Sequence, residues 1–117
     1  MADANNYELR VFHIPKTIDN DLRENDHTPG FGSAGKFVAQ AFMGDNLDNR
    51  ALPGVKINVI MGRHAGWIAA SGGLAAEQEG DAPHIILFPE IAFNREKFLA
   101  KVKKTVETKS YCVIVVS

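Results

Sequence analysis

Alternation is what most constrains this chain. Four short apolar runs, Tyr7–Ile14, Lys56–Met61, His84–Phe88 and Tyr111–Val116, are separated by three stretches whose apolar residues recur at helical spacing. Short runs bounded by Pro or Gly read as strands, and stretches of 3.6-residue period read as helices. Strands alternating with helices form a parallel sheet, because each connection must return the chain to the starting edge. The expectation is α/β: a Rossmann-like three-layer domain, with a parallel sheet of about four strands and helices on both faces, in the order β-α-β-α-β-α-β. With 117 residues, the chain has room for one domain with a core of modest size.

The helices carry their own signals. Ser33 is placed to cap the first, which runs to about Asp48 and has Phe37, Val38, Ala41 and Phe42 as apolar members. The second, Ala65–Glu79, is rich in small residues and has Gly72 and Gly73 in its middle. Each glycine costs about 1 kcal/mol against Ala in a helix. Such a helix is worth forming only against a close neighbour, so it is expected to pack tightly on the sheet, with Gly80 ending it. Asn94 caps the third helix, on which Phe98, Leu99, Val102 and Val106 share a face.

In a parallel sheet all carboxyl ends face one edge, and such folds bind ligands there. The residues just beyond the first three runs are Lys16–Asp21, Gly62-Arg63-His64 and Glu90, and these exits carry charge. The densest is Pro15-Lys16-Thr17-Ile18-Asp19-Asn20-Asp21. It opens a long polar loop, Lys16–Gly32, and loops of that length in a compact domain are usually functional or disordered. A carboxylate such as Asp19 can take the proton from a hydroxyl nucleophile, which is worth typically 10²–10⁴-fold. In an extended segment Asp21 lies on the same face, and Mg²⁺ would let both carboxylates stay ionised. Lys16 and Thr17 have the charge and hydroxyl that phosphoryl transfer needs for positioning and charge stabilisation. Read residue by residue, a turn in which these side chains cap backbone N–H groups serves equally well.

Arg63, after a strand-ending Gly62, can clamp a phosphate or sugar oxygen; it can also sit bound to a helix end. Glu90, after Pro89, can accept hydrogen bonds from sugar hydroxyls or stand free on the surface. Gly30-Phe31-Gly32-Ser33-Ala34-Gly35-Lys36 imitates two phosphate-binding motifs at once. A Walker A loop needs Ser or Thr after the Lys, where Phe37 stands, and both motifs need a strand directly before them. A helix start with close backbone packing accounts for it better.

Composition excludes several function classes. With 13 basic and 14 acidic residues, a formal net charge of −1, there is no electrostatic footprint for nucleic acid or anionic membrane. The lysines of Lys97–Lys109 recur at helical spacing among Glu and read as a solvated face. No apolar run reaches membrane-spanning length, and the polar stretch Met1–Asn6 is unlike a signal peptide. The single cysteine, Cys112, lies in an apolar run and reads as a buried inert thiol, which suits a reducing, cytoplasmic compartment. His13, His27, His64 and His84 lack metal-ligand spacing and read as structural.

Pro-Lys-Thr-Ile-Asp-Asn-Asp, followed in order by Thr-Pro-Gly-Phe-Gly-Ser-Ala, Met-Gly-Arg-His-Ala-Gly-Trp and Pro-Glu, resembles the sugar-phosphate half of the 6-phosphofructokinase family from about Tyr7 to Ser117. Within the family it is most similar to the pyrophosphate-dependent branch. The resemblance implies phosphoryl transfer from pyrophosphate to the C1 hydroxyl of fructose 6-phosphate, giving fructose 1,6-bisphosphate. It implies Asp19 as general base and Lys16 as the lysine that stabilises the transition state with pyrophosphate. Thr17, Ile18, Asp19, Met61, Gly62, Arg63 and Glu90 match substrate-contacting positions, and Asp21 matches an acidic residue near Mg²⁺, the implied cofactor. A homo-oligomer with sites shared between subunits is implied as well. The family's Gly-Gly-Asp donor motif is absent here, so residues 1–117 are expected to be one domain of a longer enzyme and inactive alone. Some ATP-dependent members also have Lys at the Lys16 position, so an ATP-dependent enzyme is the alternative; a non-catalytic sugar-phosphate-binding module is another.

Overall fold

A computed structural model describes residues 3–117; Met1 and Ala2, part of the polar N-terminal stretch, lie outside the described residues. Helix α1 spans Phe31–Ala51, strand β1 Gly54–Val59, helix α2 Trp67–Ser71, strand β2 Ile85–Leu87, helix α3 Arg95–Lys109 and strand β3 Tyr111–Val116. A 3₁₀ turn at Gly72–Ala75 follows α2 directly. The sheet has three strands in the order β1-β3-β2, and both pairings are parallel.

The sheet is built around β3. Tyr111, Cys112, Val113, Ile114 and Val115 are all buried, as a strand covered on both faces requires. Tyr111, Val113 and Val115 join Val38 and Phe42 of α1 and Ile68 and Ala69 of α2 in one apolar core. Successive strand residues point to opposite faces, which leaves Cys112, Ile114 and Val116 toward α3. Burial pushes the Cys112 thiol up, the state of an inert structural cysteine. Helices therefore flank the sheet on both faces, as the alternation predicts. Asp45 of α1 ties that helix to β1, accepting from Lys56 Nζ at 2.7 Å and from Asn58 Nδ2 at 2.8 Å.

The edge opposite the strand exits is held by Asn46. Its Oδ1 accepts from the Tyr111 hydroxyl at 3.0 Å and from the Ala82 N–H at 3.1 Å, both buried. Asp81 beside it pairs with Arg50 and accepts from the N–H groups of Glu77 and Gln78. His84 lengthens the sheet by its side chain: its N–H donates to Val113 O at 2.9 Å and its Nδ1 accepts from Val113 N–H at 3.0 Å. The structural reading of His84 fits this geometry.

Several expectations need correction. Tyr7–Ile14 is not a strand: it is extended but unpaired, with Val11 77%, Phe12 86% and Ile14 88% exposed. Its apolar residues are exposed, and the described residues do not cover them. Among the described residues the sheet therefore has three strands, not four. The radius of gyration, 19.7 Å, exceeds the ~13 Å of a compact chain this long, consistent with a segment standing off the body. Pairing with β3 shifts the second apolar run to Gly54–Val59, and the third shortens to Ile85–Leu87. Helix α1 starts two residues before Ser33, capped by Gly30 in the left-handed region with no side-chain bond. The small-residue helix ends at Ser71, giving way to 3₁₀ geometry at Gly72 and Gly73 rather than reaching Glu79. Two adjacent glycines lower the helix's own stability enough for the packing to decide. That packing is close: a Cβ at Gly72 would touch Phe42 and Val115 at 3.4 Å. Gly80 adopts φ +87° in a later turn, not at a helix end. The third helix and fourth run match expectation, with Asn94 Oδ1 accepting from Lys97 N–H at 2.9 Å. Among the described residues, no helix is long and apolar enough to cross a membrane.

His84 gives the fold a pH dependence. Burial, then the nearby Lys109 charge, hold its imidazole below the ordinary histidine value. The unfolded chain takes up that proton near pH 6.5, whereas the folded chain resists it until lower pH. Stability is therefore full above about pH 6.5 and falls as pH drops through the interval down to the folded value. Denaturant unfolding at about pH 7.5 and 5.5 should show this loss, and it should shrink in His84→Leu. An unchanged pH dependence in that variant would remove His84 as its source.

A candidate active site at the carboxyl edge of the sheet

The three strands leave the sheet on one edge, and hydrogen bonds stitch their exits together. Ile60 N–H donates to Val116 O at 2.8 Å and Ser117 N–H to Leu87 O at 3.4 Å. The Ser117 hydroxyl donates to the Gly62 carbonyl. Glu90 Oε1 accepts the Gly66 N–H at 2.8 Å. The exits Met61-Gly62-Arg63 and Glu90 thus form one unit, as the parallel arrangement requires.

Two glycines make this unit possible. Gly62 has φ +129°, and a Cβ there would lie 2.3 Å from the Ala65 carbonyl oxygen and 2.9 Å from Ser117 Oγ. A Cβ at Gly66 would lie 2.4 Å from Phe88 Cδ1 and 3.0 Å from Glu90 Oε2. The backbone between them folds tightly against the neighbouring exit. Gly62 is buried, while Met61, Arg63 and Glu90 are exposed. Arg63 and the Glu90 carboxylate are accordingly open to a ligand from solvent, with Glu90 already oriented by a backbone donor.

The loop after Tyr7–Ile14 is ordered by its own polar groups. Thr17 Oγ1 accepts the Asp19 N–H at 3.1 Å, and the chain bends at Ile18 and Asp19. Asn20 follows with φ +58°, in the left-handed region that Asn tolerates better than most residues. Its side chain is buried and spans the loop. Nδ2 donates to Asp26 O at 3.2 Å, and Oδ1 accepts Thr28 N–H at 2.8 Å. Thr28 O then accepts Phe31 N–H at 3.2 Å, where α1 begins. Ile18 packs on the core below, and a Cβ at Gly30 would lie 3.0 Å from its Cγ2. One side of the Asp19 carboxylate is conspicuous: Oδ1 is buried with no hydrogen-bond partner. An ionised oxygen in that state is costly, so the position suits a group that a bound molecule completes.

The residues singled out by sequence therefore fall into two groups. Met61, Gly62, Arg63 and Glu90 are brought together. Lys16, Thr17, Ile18, Asp19 and Asp21 share the second loop, with Lys16 and Asp21 exposed. Among the described residues no hydrogen bond or ion pair joins the two groups. They are connected through α1 against α2, where a Cβ at Gly35 would lie 3.2 Å from the Ser71 side chain. The glycine-rich stretch thus serves helix packing. Asp21 needs a correction: the bend and the left-handed Asn20 break the extended geometry that would set it on the Asp19 face. Among the described residues no group of three or more His, Cys, Asp or Glu could hold a metal ion. Mg²⁺ commonly uses only one or two carboxylates, with phosphate and water filling the rest. The exposed Asp21 carboxylate fits that limited role.

Sequence reasoning gave no role to Asn20, Gly66 or Ser117. Asn between two Asp in a loop is itself a signal for a left-handed residue. Gly66 and Ser117 have no comparable signature, since their importance comes from the neighbouring strand exit.

Comparison with known proteins follows this geometry. The family model described as Phosphofructokinase matches residues 2–117. A protein of Rhodospirillum rubrum named pyrophosphate–fructose 6-phosphate 1-phosphotransferase is 55% identical over 111 residues, covering 95% of this chain and 28% of its own. A protein of the same name from Halomonas elongata is 46% identical, covering 100% of this chain and 29% of its own. The crystal structure of a pyrophosphate-dependent phosphofructokinase from Marinobacter aquaeolei superposes with a TM-score of 0.86 at 50% identity, covering 99% of this chain and 31% of that one. The chain thus spans under a third of the length of these relatives.

Gly62→Ala should destabilise the full-length protein by about 2 kcal/mol or more, through a forbidden φ and a backbone clash. Gly32→Ala, in helix α1 with nothing within 4 Å of its new Cβ, should leave stability unchanged or raise it by up to about 1 kcal/mol. Thermal or denaturant unfolding of the two variants checks this; equal effects would contradict the tight exit at Gly62.

Proposed function

The chain belongs to the phosphofructokinase family, and on that premise we propose that the full-length protein transfers a phosphoryl group from pyrophosphate to the C1 hydroxyl of fructose 6-phosphate. The observation that carries the proposal is the Asp19 carboxylate, partly buried in an ordered loop with Oδ1 unpartnered. The reaction needs a base that can accept the C1 hydroxyl proton as the oxygen attacks phosphorus, and Asp19 is poised for it. Lys16, exposed beside the loop, carries the charge that the transferring phosphoryl requires. Thr17 uses its oxygen to accept the Asp19 N–H, leaving its hydroxyl proton for a phosphate oxygen. Ile18 anchors the segment to the core so that these groups keep their spacing.

At the stitched edge, Met61, Gly62 and Arg63 receive the sugar phosphate, with the Arg63 guanidinium binding oxygens bidentately. Glu90, oriented by Gly66 N–H, accepts from a sugar hydroxyl. Asp21, with the substrate's phosphates, would hold Mg²⁺, which supplies charge neutralisation on the phosphates.

The same reading extends to organisation. Residues 1–117 act as one domain of a longer enzyme in the cytoplasm, and donor groups come from sequence beyond these residues. A homo-oligomer with sites shared between subunits belongs to the same reading. In that setting Tyr7–Ile14 pairs as a fourth parallel strand, a reading supported by its exposed apolar residues. An apolar groove of about 690 Å³ between the sheet and α3, lined by Ile57, Leu87, Phe93, Phe98 and Val116, supports further covering protein.

In the full-length enzyme Asp19→Ala should lower kcat by at least about 10²-fold with little change in KM for fructose 6-phosphate. A near-normal kcat would remove Asp19 as base. Lys16→Gly should reduce the pyrophosphate-supported rate far more than sugar-phosphate binding; equal losses would make Lys16 a folding residue.

A further inference from the structure

Asn20 lies between the two carboxylates of the loop and does unusual structural work for a loop residue. It is 8% exposed and left-handed, and its one amide makes both loop-closing bonds, to Asp26 O and from Thr28 N–H. Left-handed backbone in a residue other than glycine is held only where the surroundings over-determine it. A turn made for chain reversal alone would leave its side chain at the surface, where water satisfies it.

The bonds of Asn20 are placed to act on Asp19. On one side Thr17 Oγ1 holds the Asp19 N–H. On the other the peptide of Asp19 runs into Asn20, whose side chain is fixed to Thr28. Thr28 is 3% exposed and joins the start of α1 through Phe31 N–H. Through Asn20, whose amide reaches Thr28 eight residues on, the Asp19 backbone is therefore linked to the start of a 21-residue helix. The Thr28 hydroxyl, like Asp19 Oδ1, is buried without a partner. The clamp thus joins two residues that each keep a desolvated, uncommitted oxygen. Such oxygens are tolerated where a ligand, or the group it brings, supplies the missing bond.

We infer that Asn20 is a positioning residue for the Asp19 base. Its amide fixes the Asp19 carboxylate relative to α1, so that the proton acceptor is set before the sugar hydroxyl arrives. Pre-set geometry of this kind acts on the chemical step more than on binding. The inference rests on the reading of Asp19 as base. It adds that the loop's rigidity comes from an amide bonded to the loop's own backbone.

A double-mutant cycle on the full-length enzyme separates these claims. Asn20→Gly keeps access to the left-handed backbone and removes both amide bonds. It should lower kcat by about 10-fold to 10²-fold, with KM for fructose 6-phosphate within about threefold of the parent. In an Asp19→Ala background the same change should cost less than about threefold, because the group it positions is gone. Equal losses in both backgrounds would make Asn20 a general structural residue, and no loss in the parent would end the proposal directly. A near-normal Asp19→Ala enzyme would instead overturn the base assignment, and the positioning role with it. Should Asn20→Gly fail to fold, Asn20→Ser carries the same cycle, because it removes the amide donor to Asp26 O and shortens the reach to Thr28 N–H without adding a charge beside Asp19.

Discussion

Everything in this fold hangs on β3 being the middle strand with parallel neighbours on both sides. Its residues from Tyr111 to Val115 are buried, so both faces must be covered and both edges paired. Pairing Gly54 with Tyr111 and Ile85 with Ile114 in parallel sets the register of β1 and β2. It also sends all three strand ends to one edge. That single geometric fact brings Ser117 to Gly62 and Glu90 to Gly66, pairs that are far apart in sequence. The opposite edge does different work. There Asn46 satisfies Tyr111 and Ala82, and His84 bonds Val113 of β3 just ahead of β2, so the end away from the candidate site holds polar bonds that stabilise the fold.

The two halves of the site are ordered by different means. The Gly62–Glu90 unit is set by the sheet, and its side chains project from a backbone with little freedom. The Lys16–Asp21 loop is set by local polar bonds, with Thr17 before Asp19 and Asn20 after it, and by Ile18 reaching into the core. Satisfied backbone groups surround an unsatisfied carboxylate oxygen. That contrast separates this loop from an ordinary capping turn, in which the Asp side chains themselves would accept the backbone N–H groups. Here Thr17 and Asn20 do the accepting, and Asp19 Oδ1 is left without a partner.

Much of this was legible in the sequence, for physical reasons. Tyr111–Val116 matched residue for residue because an uninterrupted apolar run tolerates only the buried central position. Asn94 capped its helix because the cap is a local interaction. What stayed hidden depends on partners distant in sequence. Gly66 matters because Phe88 and Glu90 press against it. Gly72 and Gly73 broke a helix into 3₁₀ geometry where the periodicity alone favoured continuing it. Tyr7–Ile14 has the pattern of a buried strand, but pattern states what a segment needs and not whether a neighbour supplies it. At the site, Asp19 was visible as a candidate, while the bonds of Asn20 beside it go to Asp26 and Thr28, partners that its place between two Asp does not reveal.

In the proposed function this domain presents a sugar phosphate and a base to a phosphoryl donor, with the Lys16 loop matched to pyrophosphate. The most direct measurement is the rate of fructose 1,6-bisphosphate formation by the full-length protein with fructose 6-phosphate, Mg²⁺ and either pyrophosphate or ATP. The account predicts turnover with pyrophosphate and a rate with ATP lower by at least about 10²-fold, a gap of roughly 3 kcal/mol in transition-state stabilisation. Turnover with ATP that equals or exceeds the pyrophosphate rate would contradict it.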